Sequence, residues 1–500
     1  VLKTPHHLTD NGRVCFLLPA GILFNHQDKA LKFQHKWLST YTIEQVINLA
    51  DMRFYLFDNA VRPTLIVRYR KEQPEKRTDY IEYITPKTEL EALRAEILVI
   101  SPEDRVRVRL REVLYDLKQG DAALVWKQSF WGTPRDRKLL DRLAALPRLN
   151  NSVDQLKVQK SKRKKRWLIG QGFQPEGRND NPEKSKLSSW SKEQLFLEGK
   201  NKNIDLMVLE SDCVPVGNRF KRLRRLPEQD IFLAPHVIVT KGLRVAYADF
   251  DVVFRHALQG IHGEKEDTEI LMFLAAFINS ALARYFLFHT SANWGTERDE
   301  IHESELLRLP FPFPEETQSP SESKEIIKEV ATLMNNVKNS IKKNFLARNE
   351  IVSQAKNELL AYIYRYYDID ELEQVLIDDT INCWMPSSMP NRGTWPIPTL
   401  EKCQADERKE YLKILCDLLN SWAERSQYRI TGNLIISSHI GAGIIVLERI
   451  TNLESSLTYD EQESISRLDA ILKRIYRFLP NEQGSISYLR NLKVFDQDKL

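Results

Sequence analysis

The chain has 500 residues, 42% hydrophobic and 28% charged, with a formal net charge of +4 and five cysteines. That length exceeds one ordinary core, so roughly two to four domains are expected, and the apolar content is enough to build them. Cys15, Cys213, Cys383, Cys403 and Cys416 are scattered with no Cys-x-x-Cys pair, which excludes a disulfide scaffold or a structural zinc site of familiar spacing and fits a reducing cytoplasm.

From Asn11 the run NGRVCFLLP is a turn followed by a short apolar stretch ending at Pro19, the pattern of a buried strand in an α/β sheet. Lys29 to Ser39 reads as a helix, Ile43 to Leu49 as a second strand and Thr64 to Tyr69 as a third, entered through the turn of FDNAVRP. Together these are the closing half of a doubly wound sheet, with no Gly-rich strand-to-helix turn before them. Residues 71–100 read as polar linkers around Tyr80 to Ile84, with a helix at Glu89 to Ala95. Val106 to Leu117 carries two signals, alternating Val and Arg like a strand and then Leu110, Val113, Leu114 and Leu117 at helical spacing. Trp126 to Leu149 starts with two tryptophans five apart, passes a Gly-Thr-Pro turn and continues as an amphipathic helix ending before Pro147.

Charge is uneven along the chain. Residues 151–260 carry 21 Lys and Arg against 13 Asp and Glu, while the remainder has 52 against 56. Ser161 to Arg166 reads SKRKKR and leads into the turn-rich β region WLIGQGFQPEGRN; Arg219 to Arg225 reads RFKRLRR and precedes strands at Val237 to Thr240 and Arg244 to Phe250. One such run alone is equally a solvated loop. Two runs bracketing an aromatic, Gly-rich region point to phosphate binding, through Lys162, Arg163, Lys164, Lys165, Arg166, Lys221, Arg222, Arg224 and Arg225.

Ile270 to Phe288 is expected as one buried helix, with Leu271, Leu274, Ile278, Leu282 and Tyr285 on its core face and Asp267 and Thr268 available as caps. Asn279, Ser280 and Arg284 interrupt any membrane-spanning reading. His289, Trp294, Arg298 and His302 then fall in a loop, and Leu306 to Pro314 alternates prolines with Leu and Phe, which fixes an extended ribbon. The cluster Glu297, Asp299, Glu300, His302 and Glu303 matches no metal-ligand spacing. Helices are expected over Lys324 to Lys343, Val352 to Tyr367, Glu371 to Thr380, Asp406 to Ser426 and Tyr459 to Phe478, with a hairpin of Leu434 to Ser438 and Gly443 to Arg449. The chain opens on Val1 in the approach to a strand and stops at Leu500 in strand-like chemistry, so a portion of a longer protein is expected.

The ordered set HLTDNGRVCFLLPAGILF, LFDNAVRPTLIVRYRK, WKQSFWGTPRDRKLLDRL, GQGFQPEGRN, APHVIVTKG and INSALARYFLFHTSANWGTERDEIHESELLRLPFPFP resembles the single-chain, type IIG-like N6-adenine DNA methyltransferases of restriction–modification systems, over most of residues 1–320. The resemblance implies an α/β plus α+β fold: the C-terminal half of a Rossmann-like methyltransferase sheet and a connector in 1–150, a mixed DNA target recognition domain in 151–318, a helical spacer in 319–400, and a helix and hairpin accessory region in 401–500. It implies double-stranded DNA as partner, a restriction nuclease domain or subunit beside it, no membrane, and S-adenosylmethionine as the cofactor of the complete enzyme. The family's cofactor loop and its Asn-Pro-Pro-Tyr or Asp-Pro-Pro-Tyr tetrapeptide occur nowhere in these residues. No catalytic, cofactor or metal residue is therefore assigned, and the chain alone is not expected to methylate. The family's aromatic that stacks on the flipped adenine corresponds to Phe57, for which a core phenylalanine is the equal alternative. Trp294, Arg298 and His302 are assigned to DNA contact, with Arg298 and His302 as base readers. A non-catalytic DNA-specificity subunit acting with a separate modification subunit is the second reading, and an interaction scaffold without DNA affinity the third.

Overall fold

A computed structural model describes residues 1–9, 12–58, 62–88, 100, 104–156, 163–175, 189–217, 219–220, 223–389, 404–423, 426–437, 442–451 and 459–478. The chain divides into two units, Val1–Thr88 with Val106–Thr394, and Glu89–Arg105 with Trp395–Leu500. Its architecture is mixed α/β, with several separate sheets and many helices.

The first sheet contains β1 (Arg13–Pro19), β2 (Thr42–Asn48), β3 (Thr64–Arg70), β4 (Tyr80–Ile84) and β5 (Arg105–Arg109), in the order β1-β3-β2-β4-β5. β3 runs antiparallel between β1 and β2, and β4 is parallel to β2. The helix Asp28–Thr40 makes the crossover from β1 to β2. Alternation sets the faces: Val14, Ile43, Val46, Leu65, Val67, Tyr69, Ile81 and Tyr83 are buried, whereas Arg13, Cys15, Leu17 and Arg68 are exposed. Trp37 of the crossover helix meets Tyr69 edge-on at 5.7 Å, and burying a large apolar side chain of this kind contributes about 1.5–3 kcal/mol. Tyr80–Ile84, which the sequence leaves among linkers, is a full strand because Ile81 and Tyr83 reach the core. Both signals in Val106 to Leu117 hold, since β5 hands over directly to the helix Leu110–Lys118.

Beyond it, the two tryptophans lie on a helix of their own, Leu124–Trp131. The Gly-Thr-Pro turn works as expected: Thr133 and Asp136 form a reciprocal capping box that starts Pro134–Ala144.

A six-stranded sheet follows, in the order Leu206–Met207, Val245–Ala248, His236–Thr240, Leu258–His262, β7 (Trp167–Gln171) and β6 (Val153–Gln155). One face, with Trp167, Ile169, Val237, Val239, Tyr247 and Ile261, joins the core that underlies the first sheet. The other face carries Leu168, Ile238, Ala246, Ala248 and Leu258 into a separate core built on Phe173, Phe196, Phe232 and Phe254. Burial on both faces fits the continuous apolar run Val237 to Val239 within His236–Thr240.

The single helix expected over Ile270 to Phe288 is two helices, Thr268–Asn279 and Ala281–Thr290, bent by 61°. Ser280 is extended there; its hydroxyl donates to the Phe277 carbonyl (2.6 Å) and accepts from Ala283 N (3.3 Å), so it stops one helix and caps the next. His289 lies inside the second helix and is fully buried, not in the loop. Among the described residues no single helix is long and apolar enough to cross a membrane. The proline ribbon lies across the end of the helix Arg348–Tyr366, where the Tyr366 and Tyr367 hydroxyls donate to the Pro312 and Pro310 carbonyls at 2.8 and 2.9 Å. Helices Pro320–Lys343, Arg348–Tyr366 and Glu371–Asp379 follow, and the last runs on into a π-helical turn, Thr380–Trp384.

In the second unit, Arg429–Ser437 lies between Ala442–Ile450, antiparallel, and Tyr459–Glu463, parallel. Helix Ala405–Trp422 packs Leu412 and Cys416 against Gly432, where an added Cβ would meet Leu412 at 2.6 Å. The helix expected from Tyr459 begins only at Ile465. Residues 459–463 instead pair with Gly432–Ile436, and the Ser464 hydroxyl accepts from Arg467 N at 3.3 Å to open the helix. The expected helix at Glu89 to Ala95, the hairpin tip 439–441 and the terminal run beyond residue 478 lie outside the described residues.

Candidate functional site

A cleft of about 830 Å3 opens in the first unit where three segments converge. The first wall is the exit of β1, with Gly21, Asn25, His26 and Gln27, beside Arg62 and Pro63 at the entry to β3. Antiparallel register (Pro19 opposite Thr64) and the Ala20 N to Pro63 O hydrogen bond of 2.9 Å hold these two loops together. The second wall comes from the other sheet: Gln155 and Gln171 at the ends of β6 and β7, with Arg225 to Glu228. The third is the loop Ala292 to Glu305.

That loop is fastened from below through its backbone. Lys127, wholly buried, donates its ammonium to the Trp294 carbonyl, and Trp131 Nε1 donates to the Gly295 carbonyl at 3.0 Å. Gly295 has φ +66°, and an added Cβ would sit 2.5 Å from the Phe288 ring, so only glycine fits this turn. Buried Glu305 accepts from Ala292 N at 2.5 Å and from His302 N at 2.9 Å, clamping both ends of the loop. Ile301 N completes the anchoring on the Lys241 carbonyl at 2.8 Å.

The electrostatics follow from burial. Lys127 is pulled down to about 7 by desolvation, against Glu305 and Asp299, which favour its charge. His26 Nδ1 accepts from Arg308 at 2.6 Å while its Nε2–H donates to the Thr290 carbonyl at 3.2 Å. Those partners fix the neutral ring, and burial with the Arg308 charge pushes its pKa down to about 3. Arg308 and Arg148 both pair with buried Asp121. Across the cleft mouth Glu297 stands 3.7 Å from Arg62 and 4.0 Å from Arg298.

The residues assigned on sequence are distributed unevenly. Lys162, Lys221 and Arg222 lie outside the described residues. Arg163 pairs with Asp230 at 3.0 Å and with Glu228; Arg166 donates to Asp267 at 2.6 Å and its guanidinium lies 5.0 Å from the Phe313 ring. Lys165 donates to the Asn150 carbonyl, and Lys164 is exposed. Arg224 and Arg225 are exposed on Leu223–Arg225, and Arg225 reaches the cleft, donating to Gln171 Oε1 at 3.3 Å and the Gly172 carbonyl at 3.2 Å. His302 lines the cleft with its ring nitrogen 2.9 Å from the Asn293 amide, and Arg298 is exposed on the same loop. Trp294 is 6% exposed, its ring edge-on to Phe288 and beneath the Arg284 guanidinium, so it anchors the loop from inside. Phe57 follows the short helix Arg53–Leu56, is 39% exposed and does not line the cleft. The cleft thus gathers Arg225 and His302 from the sequence assignment and adds Asn25, Gln27, Arg62, Gln155, Gln171 and Asn293, which no motif marks. Lys127 did leave a signal, as a lone cation between tryptophans in an apolar helix.

No family model and no curated protein matches the chain. Among solved structures it is similar to the type IIG restriction endonuclease BpuSI, at 11% identity over 73% of this chain and 48% of that one, with a TM-score of 0.25. It is also similar to the type IIL restriction-modification enzyme MmeI in complex with DNA, at 10% identity over 75% and 50%, TM-score 0.39. A third is the HsdS subunit from Thermoanaerobacter tengcongensis, at 11% identity over 71% and 97%, TM-score 0.20. The chain spans about half the length of the first two.

Proposed function

We propose that the chain is the target-recognition portion of a cytoplasmic, type IIG-like DNA adenine-N6 methyltransferase of a restriction–modification system. The observation that carries this reading is the cleft, in which the loops leaving one α/β sheet face the strand ends of a second, independently cored sheet. The motifs that resemble the family fall on both sides of it. β1, its crossover helix and β2, with β3 antiparallel between them, are what the closing half of a Rossmann-like methyltransferase sheet requires. Double-stranded DNA is the substrate in this reading, with a nuclease domain or subunit as a further partner.

The described residues do not fit an S-adenosylmethionine site. The carboxylate of Asp51, just past β2, is occupied by the backbone N–H groups of Thr88 (2.8 Å) and Met389 (2.6 Å). The cofactor would belong to the complete enzyme, and no step through it is assigned to this chain. Its own residues would bind and read: Lys164, Arg224 and Arg225 neutralise phosphates, Arg298 and His302 meet base edges, and Phe57 stacks on the extruded adenine. Replacing Lys164, Arg224 and Arg225 by glutamine should weaken binding to duplex DNA and reduce the slope of log affinity against log salt by about 0.9 for each phosphate that is no longer neutralised. Binding and slope equal to wild type would sink the proposal.

A second reading is a DNA-specificity subunit that works with a separate modification subunit. An in-frame Pro-Pro-Tyr motif in the coding sequence upstream of Val1 decides for the first reading, and its lack decides for the second.

A further inference from the structure

What the cleft can read depends on which of its polar side chains still have hydrogen bonds to offer. The carboxylates are engaged: Glu297 faces Arg62 and Arg298, Glu228 takes Arg163, and both Glu305 oxygens take backbone N–H groups. His302 is tied to Asn293, and Asn25 Oδ1 accepts from Gln27 N at 2.8 Å. The Gln27 carboxamide on the first wall stays open, and so do two on the second wall, which lie on neighbouring strands. Gln155 makes no side-chain hydrogen bond among the described residues. Gln171 only accepts, from Arg225 at 3.3 Å, which leaves its NH2 group and one oxygen lone pair unspent.

The backbone sets these two side by side. Gln155 is in register with Ile169 on the parallel pair β6 and β7, and Gln171 lies two residues beyond Ile169 on the same face. With neighbouring strands about 4.8 Å apart and a rise of about 3.3 Å per residue, that diagonal separates the two positions by roughly 8 Å. Close approach at this end of the sheet needs Gly170, where an added Cβ would meet Leu156 at 2.8 Å.

A carboxamide carries a donor and an acceptor next to each other. Adenine in the major groove shows the complement, the N6 amino donor beside the N7 acceptor, whereas guanine shows two acceptors and leaves the amide oxygen facing O6. We propose that Gln155 and Gln171 are specificity-determining residues that read adenine in the major groove, an inference that rests on the DNA-recognition reading above. Arg225, donating to Gln171 Oε1, orients that amide so that its NH2 group points to the base.

The test is selection of a randomised DNA duplex pool by the full chain, followed by sequencing, with wild type, Gln155→Ala, Gln171→Ala and Gln171→Glu compared after thermal melts confirm folding. Wild type should enrich a motif containing adenine. Each alanine variant should lose the adenine preference at one position, by about 5- to 150-fold in discrimination, and Gln171→Glu, which can only accept, should turn its position toward cytosine. Substituting 7-deazaadenine in the enriched duplex should reproduce the alanine effect in wild type. A wild-type motif without adenine, or variants that enrich the wild-type motif, overturns the inference while leaving DNA recognition standing. A wild-type chain that enriches no duplex overturns both.

Discussion

Lys127 lies beneath the Trp294–Gly295 turn with no exposed surface, its ammonium on the Trp294 carbonyl and 5.0 Å from the centre of the Phe288 ring. Burial lowers its pKa from 10.5 to about 7, whereas the unfolded chain keeps the ordinary value. Between those two values the unfolded chain holds a proton that the folded chain has released, so folding stability rises with pH through the window and is flat below it. One such proton gives a slope of at most about 1.4 kcal/mol per pH unit, and so a few kcal/mol across the window. Lys127→Met keeps a long apolar stem, abolishes the titration and strands the Trp294 carbonyl, a pH-independent loss of about 1–3 kcal/mol. Urea denaturation of both proteins at about pH 7, 8 and 9 should show wild type gaining on the variant by about 1 kcal/mol per unit. Two curves that stay parallel would refute the claim that burial controls this amine.

Gly295→Ala should destabilise the first unit by about 2–4 kcal/mol, because a left-handed turn and an occupied Phe288 ring both oppose the new methyl group; thermal denaturation reads it. Arg348 is buried on Asp212 at 2.8 Å and donates to the Asn203 and Met207 carbonyls, so Arg348→Ala should cost about 3–5 kcal/mol in urea titrations. Buried His236, held down to about 4 mainly by desolvation, stays neutral in the fold while the unfolded chain gains a proton below its usual 6.5. Stability should therefore fall as pH drops from 6.5 towards 4, and His236→Gln should flatten that fall in melting temperatures measured across the range.

Strands β1 to β3 were legible as short apolar runs bounded by turn residues, although β1, expected to be buried, leaves Cys15 and Leu17 exposed because only one of its faces is packed. The break at Ser280 was not, because both helices bury their apolar faces in the same core and the helical period runs through the bend. The cap was written there as Asn279-Ser280, a pair the hydrophobic pattern outweighed. Tyr459–Glu463 is almost wholly polar and has no period of its own; its strand state comes from pairing with Gly432–Ile436. The basic run was plain, but its use was not: Asp230 and Asp267, which hold Arg163 and Arg166, are far away in sequence and meet them only in the fold. The cleft amides carried no motif at all, since a glutamine at a strand end becomes a wall only when a second sheet faces it.

Directly over Lys127 the loop is held by its carbonyl oxygens, a part of the chain that every amino acid supplies alike. Its fastenings at Trp294 and Gly295 take no account of the side chains at Glu297 and Arg298. Those positions are therefore free to drift without loosening the turn beneath them. A lineage under pressure to change what this surface recognises can vary them one at a time, and a library randomised at 297 and 298 starts from an intact scaffold.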